Sequence, residues 1–290
     1  MTEQVQIGVI GGSGLYDMSG ISDRTEYDID TPFGKPSAPI MVGTLRGKRV
    51  AFIPRHGVGH IHTPTTVPYR ANIYALKSLG VRFIVAVSAC GSLQQAYAPG
   101  HLVLPDQLYD HTKSDRRDRS FYEDSGLVAH VGVADPFDGY LRDVLYEAIQ
   151  GVGGTAHNGG LFITVEGPRF STRGESKIFR AWGCDLIGMT TSPEAYLAAE
   201  AEIAYACIAH VTDYDVWHET EEAVTVEQVM KTAIGNIETA KAALADAVAA
   251  LDVTAERPAH SAVKLAITTN RDHISDEARE KLNLIVGKYL

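Results

Sequence analysis

The sequence predicts an α/β protein with a mixed central β-sheet flanked by helices on both faces, because short apolar, β-rich segments alternate with helical ones along the chain. Two segments carry most of that expectation. Phe83 to Val87 is apolar without interruption, as in a central strand covered on both faces. Val5 to Ile10 is short and β-rich and runs straight into Gly11, Gly12, Ser13 and Gly14, a strand ending in a tight turn. Composition permits such a fold: 290 residues, 45% of them apolar and 21% charged, can bury a sizeable core and are too apolar for general disorder.

The remaining elements follow in order. Asp30 to Pro39 is a proline-rich excursion, and Val50 to Ile53 is a strand ending at Pro54. Residues 69–80, YRANIYALKSLG, predict a helix of about three turns. Pro68 suits its start, where the missing N–H would have been unpaired, and Gly80 suits the C′ position. Leu102 to Leu104 is a short strand. The charged stretch 112–124 reads as a solvated loop, with a lid or subunit contact as the alternative. Tyr140 to Ile149, Thr172 to Trp182 and Pro193 to Glu202 are helical, while Leu161 to Val165 and Ile203 to Val211 are strands. Thr225 to Leu251 is a long amphipathic helix, with Thr225 and Gln228 spaced as a capping box and Val226, Val229, Met230, Ala233, Ile234 and Ile237 at helical spacing. Pro258 to Thr269 reads as a linker plus a strand. Ser275 to Tyr289 reads as a helix capped by Ser275 or Asp272, with Asp276 and Glu277 early and Lys288 late, as the helix dipole favours. No repeat or interdomain linker intervenes, so residues 1–290 are expected to form a single domain with a helical C-terminal extension at about 256–290.

The net charge of −10 argues against broad nucleic-acid binding. Cys90, Cys184 and Cys207 have neither zinc-site nor CxxC spacing. No run approaches the roughly 20 apolar residues of a membrane span, and the N-terminus lacks the basic-then-apolar order of a signal peptide. A cytoplasmic protein with reduced thiols, no membrane contact and no nucleic-acid partner is expected.

Several residues at strand ends suit an oxyanion. Gly11, Gly12, Ser13 and Gly14 offer consecutive backbone donors and a hydroxyl, but match neither the dinucleotide fingerprint nor the P-loop. Arg55, whose rigid fork fits phosphate oxygens, and His56 follow the second strand; Ser88 follows the apolar run; Thr190 lies in Gly188-Met189-Thr190-Thr191. Ligands in α/β folds bind outside the carboxyl ends of strands, where several of these residues fall. His56 and His60 have zincin spacing, but position 57 is glycine where a zincin has glutamate, so no metal is expected. Asp213 and Asp215, in VTDYDVW, share one face if the strand continues. They are open to three readings: a solvated strand end, a two-carboxylate glycosidase, or a site that reads a purine and stabilises its departure, which requires a raised carboxyl pKa.

In order and number, the segments IGVIGGSGLYD (7–17), TPFGKPS (31–37), RHGVGH (55–60), YRANIYALKSLG (69–80), SACGSL (88–93), FITVEGPRFSTRGES (162–176), DLIGMTTSPEA (185–195) and VTDYDVW (211–217) resemble the trimeric purine nucleoside phosphorylase family, in its 5'-methylthioadenosine-cleaving branch. The resemblance spans roughly residues 7 to 255 and weakens in the tail. It implies phosphorolysis of S-methyl-5'-thioadenosine to adenine and 5-methylthioribose 1-phosphate, with inorganic phosphate as co-substrate, no other cofactor, and a homotrimer or hexamer. It further implies that Ser13, Arg55, His56, Ser88 and Thr190, with backbone near Ala89, hold phosphate. Phe170 packs on the purine, Met189 lies under the ribose and His60 lines the methylthio pocket. His130 comes from a neighbouring subunit. Asp213 reads purine N7 and the 6-amino group, with Asp215 in support. The carboxylate favours a 6-amino over a 6-oxo purine, since an amine donates where an oxo group accepts. The alternatives are a methylthioinosine or general purine nucleoside phosphorylase, a nucleoside hydrolase and a non-catalytic purine-binding module. Two positions depart from the family pattern: Gly188 stands where some relatives have Asn, and Pro68 replaces a frequent Asn.

Overall fold

Alternate residues of one strand, β5 (Phe83–Ser92), face two separate cores, which explains its unbroken apolar run. The computed structural model describes residues 5–12, 15, 18, 20–112, 118–218 and 226–290, except the side chains of 226, 228–231, 233, 234 and 236. Phe83, Val85 and Val87 pack beneath α2 (Gly139–Gly151) and α5 (Val226–Ala250) through Leu141, Leu145, Leu244 and Val248. Ile84, Ala86 and Cys90 pack beneath α1 (Tyr69–Ser78), α4 (Thr191–Glu200) and α6 (Asp276–Val286) through Ile73, Leu76, Leu197 and Leu282. Helices therefore cover both faces. A third, smaller cluster seats α3 (Arg173–Ala181) by Phe179 on Ile163, Cys184 and Ile187.

The described residues form one mixed sheet of 11 strands. β1 (Ile7–Gly11) lies parallel to β5 from Ile7↔Phe83 to Ile10↔Ala86, and β11 (Ala204–Asp213) lies parallel to its other edge from Ala204↔Phe83 to Asp213↔Gly91. β10 (Leu186–Gly188) then joins β5 antiparallel at Gly91 and Ser92. Val87 to Cys90 are thus left without a strand partner on the edge that β1 vacates, among the described residues, and the sheet forks there. One branch continues from β1 through β4 (Lys48–Pro54) and β3 (Ile40–Leu45) to β2 (Ser22–Tyr27). The other runs from β10 through β9 (Leu161–Val165) to β7 (Gln107–His111), while β6 (Leu102–Leu104) and β8 (Ala156–Asn158) extend from β11.

Local signals acted largely as the sequence predicts. Gly80, with φ of 96°, follows α1 and donates to the Lys77 carbonyl at 3.0 Å. Pro68 is the N-cap residue of α1 and not its first helical position. Thr172 caps α3 in a reciprocal capping box with Glu175. Ser275, not Asp272, caps α6 by accepting from the Ala278 N–H at 3.1 Å. The proposed cap Thr225 lies outside the described residues.

The strand expected within Pro258 to Thr269 is absent. Pro258–Ser261 is a 3-10 turn, and Ala262, Lys264 and Ala266 each donate to the carbonyl three residues back, which uses up donors a strand would need. Only an isolated bridge, Ala129↔Ile267, remains. The C-terminal segment is tied to the turn after α4, where buried Glu202 accepts from the Tyr289 hydroxyl at 2.6 Å and the Val263 N–H at 3.1 Å and pairs with Lys288.

One ammonium fastens the last turn of α5 to the sheet: Lys48 Nζ donates to the carbonyls of Val248, Ala249 and Leu251 at 2.8, 2.9 and 2.6 Å. Lys48→Met keeps the stem but strands those carbonyls. Urea denaturation is expected to show a loss of about 1–2 kcal/mol with an unchanged m-value.

Candidate active site

The unpaired stretch of β5 is where the predicted oxyanion residues gather. Ser88 and Cys90 are buried, while Ala89 between them is exposed, so the strand opens to solvent at that one residue. β4 delivers Arg55, whose own N–H donates to the Gly11 carbonyl at 2.9 Å and ties the ends of β1 and β4 together. Its guanidinium is buried. Nη1 donates to the Val87 carbonyl at 3.1 Å and approaches Ser88 Oγ at 3.5 Å. Ser88 Oγ lies 3.2 Å from Thr190 Oγ1, and Thr190 is the N-cap residue of α4. Arg55, Ser88, Ala89 and Thr190 therefore converge. Ser13 lies outside the described residues.

Sequence reasoning assigned Arg55 a phosphate-matching fork but named no counter-charge for it. Glu194 accepts from Arg55 Nε at 2.6 Å and Nη2 at 2.7 Å, and its Oε1 also accepts from the Tyr205 hydroxyl at 2.8 Å. Burial lowers the Arg55 pKa, but the charge and hydrogen bonds of Glu194 more than offset this, so the guanidinium stays cationic. A buried arginine needs such a partner; the only sequence signal was an acid in the first turn of α4.

Burial first, then the neighbouring Arg55 charge, lowers the His56 pKa to about 4. The ring is therefore neutral at neutral pH. Its Nδ1 lies 2.9 Å from the His62 carbonyl and so carries the proton, which leaves Nε2 as an acceptor. His60, exposed and at a left-handed φ of 59°, stacks on it at 4.2 Å. Exposed Val58 and Ile61 flank this pair. Among the described residues no three His, Cys, Asp or Glu side chains group to hold a metal.

Three residues farther along β5, about 10 Å by strand rise, Gly91 faces Asp213. A Cβ at Gly91 would come within 3.0 Å of Asp213 Oδ1 and of Ile187, so glycine lets the carboxyl close on the strand. Oδ1 accepts from the Asp215 N–H at 2.8 Å, and Oδ2 from the Thr212 hydroxyl at 2.7 Å. Burial nevertheless raises the Asp213 pKa to about 6, and the Asp215 charge adds to the shift. Asp215 is also buried, its pKa raised chiefly by that burial, and its Oδ2 has no hydrogen-bond partner among the described residues. The two acids do not share a face by strand alternation, because β11 ends at Asp213 and Asp215 sits in a turn with φ of 50°. The turn, not the pleat, brings both against Gly91.

Met189 precedes Thr190 and meets the loop that carries Phe170. A Cβ on Gly167, at φ of 65°, would lie 2.6 Å from Met189 Sδ. Phe170 is 39% exposed on that loop. His130 is exposed, and its N–H donates to the Ala266 carbonyl at 2.8 Å.

The sequence profile of the Phosphorylase superfamily matches residues 6–249. The chain belongs to the phosphorylase superfamily. It is 51% identical to a protein of Chloroflexus aurantiacus named S-methyl-5'-thioadenosine phosphorylase, over 98% of each chain. Among solved structures it is similar to a methylthioadenosine phosphorylase from an antarctic soil metagenomic library, with a TM-score of 0.92 and 44% identity over 98% of this chain and 99% of that one. It is also similar to the methylthioadenosine phosphorylase of Schistosoma mansoni solved with adenine, with a TM-score of 0.80 and 37% identity over 87% and 93% of the two chains. The expected mixed sheet with helices on both faces is thus the fold of this superfamily. The Chloroflexus match also takes in most of the tail, where the quoted motifs stop.

The raised Asp213 pKa has a stability consequence. The folded state binds the proton more tightly than the unfolded chain, whose aspartate titrates near 3.9. Asp213 therefore destabilises the fold as pH rises through about 6, and this cost fades between about pH 6 and 4. Asp213→Asn fits if its amide donates to Thr212 Oγ1, since that hydroxyl also lies 3.2 Å from the Cys90 carbonyl and can turn to it. The variant is expected to be about 1–2 kcal/mol more stable than the parent at pH 8, with the gap closing toward pH 4 in denaturation curves taken across that range.

Proposed function

We propose that the protein catalyses phosphorolysis of S-methyl-5'-thioadenosine, giving adenine and 5-methylthioribose 1-phosphate. Membership of the superfamily makes phosphate the co-substrate. The observation that carries the reading is the placement of two unlike polar groups along one strand: a cationic, hydroxyl-lined opening at Ser88 and a buried carboxyl of raised pKa opposite Gly91. A nucleoside laid along β5 spans them.

On this reading phosphate is held by Ser88, Thr190, the outer N–H groups of Arg55 and the backbone at Ala89, with Ser13 assisting. Neutral His56 accepts the proton-bearing oxygen of phosphate at Nε2. The ribose rests on Met189, adenine packs on Phe170, and the 5'-methylthio group meets the apolar surface beside His60. The C1'–N9 bond breaks as the C1'–O bond to phosphate forms, and the departing electron pair goes to the adenine ring. Asp213 delivers its proton to N7 and accepts from the 6-amino group, so it favours the transition state in which charge builds on the base. Asp215 supports it. The phosphate proton released on ester formation replaces the one adenine takes. Holding both reactants on one strand supplies part of the rate. The reaction as written uses no metal or organic cofactor.

Exposed His130 suits the role that the resemblance implies for it in a neighbouring subunit's site, so the working enzyme on this reading is a homotrimer, alone or paired as a hexamer. The products place it in purine and methionine salvage. Buried, free Cys90, Cys184 and Cys207 support a reducing cytoplasm.

Adenine release from methylthioadenosine is expected only when phosphate is supplied, with inosine turned over far more slowly. Product in phosphate-free buffer would make the protein a hydrolase, and equal turnover of inosine would make it a general purine nucleoside phosphorylase. At saturating phosphate, kcat/KM for the nucleoside is expected to fall above about pH 6, where free Asp213 loses its proton. Asp213→Asn should lack that limb and lose about 100-fold or more in kcat.

A further inference from the structure

Glu194 takes no part in the chemistry above, yet it is 1% exposed and its carboxylate engages two side chains. Guanidinium carries five N–H groups. Glu194 takes the side edge of Arg55, accepting from Nε and Nη2, and the Val87 carbonyl takes one hydrogen of Nη1. What remains among the described residues is one N–H of Nη2 and the N–H of Nη1 that makes only a long, 3.5 Å donation to Ser88 Oγ: the end-on fork, on the side of that hydroxyl. That fork has the geometry to grip two oxygens of one oxyanion.

The segment that supplies Glu194 also supplies Thr190. Their spacing is set by the turn between them, held by the Ser192 hydroxyl on Asp110 Oδ2 at 2.7 Å and the Ser192 N–H on Thr164 Oγ1 at 3.2 Å. Tyr205, buried in β11, donates to Glu194 Oε1 at 2.8 Å and fixes the carboxylate from the far side. The pair as a whole is neutral, so phosphate is recognised by where the fork points and not by an excess positive charge.

We propose that Glu194 is a positioning residue for phosphate: seated against Tyr205, it clamps Arg55 by its side edge and so directs the end-on fork at the opening between Ser88 and Thr190. The inference rests on the phosphorolysis reading and goes beyond it by assigning two residues that touch neither substrate. Loss of the clamp lets the guanidinium rotate, which weakens phosphate binding and leaves the purine end of the site untouched.

The test is steady-state kinetics on the full-length protein, with phosphate and methylthioadenosine varied independently. Glu194→Gln keeps size but presents a donating amide NH2 where a carboxylate oxygen accepted. It is expected to raise KM for phosphate about tenfold or more, with KM for methylthioadenosine within about twofold. Glu194→Asp, which keeps the charge, should recover part of that loss, and Tyr205→Phe should raise phosphate KM by about threefold. An unchanged phosphate KM in Glu194→Gln, or equal changes in both KM values, overturns the proposal. If circular dichroism shows that Glu194→Gln does not fold, Tyr205→Phe decides it: a selective rise in phosphate KM supports the clamp and no change overturns it. Turnover by the parent protein without phosphate sinks the phosphorolysis reading instead, so the two failures are distinct.

Discussion

β5 cannot be paired along both of its edges. β11 follows one edge from Phe83 to Gly91, but on the other β1 stops at Ala86 and β10 begins only at Gly91. Backbone groups between those points need partners that are not strands. A sheet that forks in this way makes a crevice at a switch between strand neighbours, the place where α/β folds bind ligands. Arg55, Ser88, Thr190 and the acids at the end of β11 all owe their meeting to that fork. Where the sheet is paired, the same strand is sealed between two cores; where it is not, Ala89 reaches solvent.

The site handles buried charge in two opposite ways. Arg55 is neutralised in place by Glu194, which keeps it ionised at the cost of a second buried charge. Among the described residues Asp213 is given a hydroxyl and a backbone N–H, too little to offset its burial, and its pKa rises to about 6. The first arrangement suits a fixed binding group, the second a group that must hold and surrender a proton near neutral pH. Gly91 serves the second by allowing the carboxyl to approach the strand.

Much of the fold was legible. The apolar run of β5, the Pro68 and Gly80 boundaries of α1 and the Ser275 cap of α6 are local signals, and local backbone chemistry obeys them. Five strands were not foreseen: β2, β3, β7, β8 and β10. β2 is exposed along its length and β8 and β10 have three residues each, so neither period nor length marks them; they exist because a neighbouring strand offers hydrogen bonds. The strand expected within 258–269 failed for the converse reason, since its donors close local turns instead. The capping box of Thr172 and Glu175 was readable in FSTRGES but went unused.

The sequence by itself determined the class of fold, the residue types at the strand ends and, through eight motifs, the superfamily. It could place Ser88 and Asp213 at the ends of apolar runs, because strand period and burial are properties of neighbours along the chain. Only the tertiary structure decided that Arg55 is paired with Glu194, that Asp215 joins Asp213 through a turn, and that His56 is neutral with Nδ1 at the His62 carbonyl. Each of these depends on burial and on contacts between distant segments, 139 residues apart for Arg55 and Glu194. Charge state and hydrogen-bond direction are set by what surrounds a group in space, which spacing along a chain does not encode.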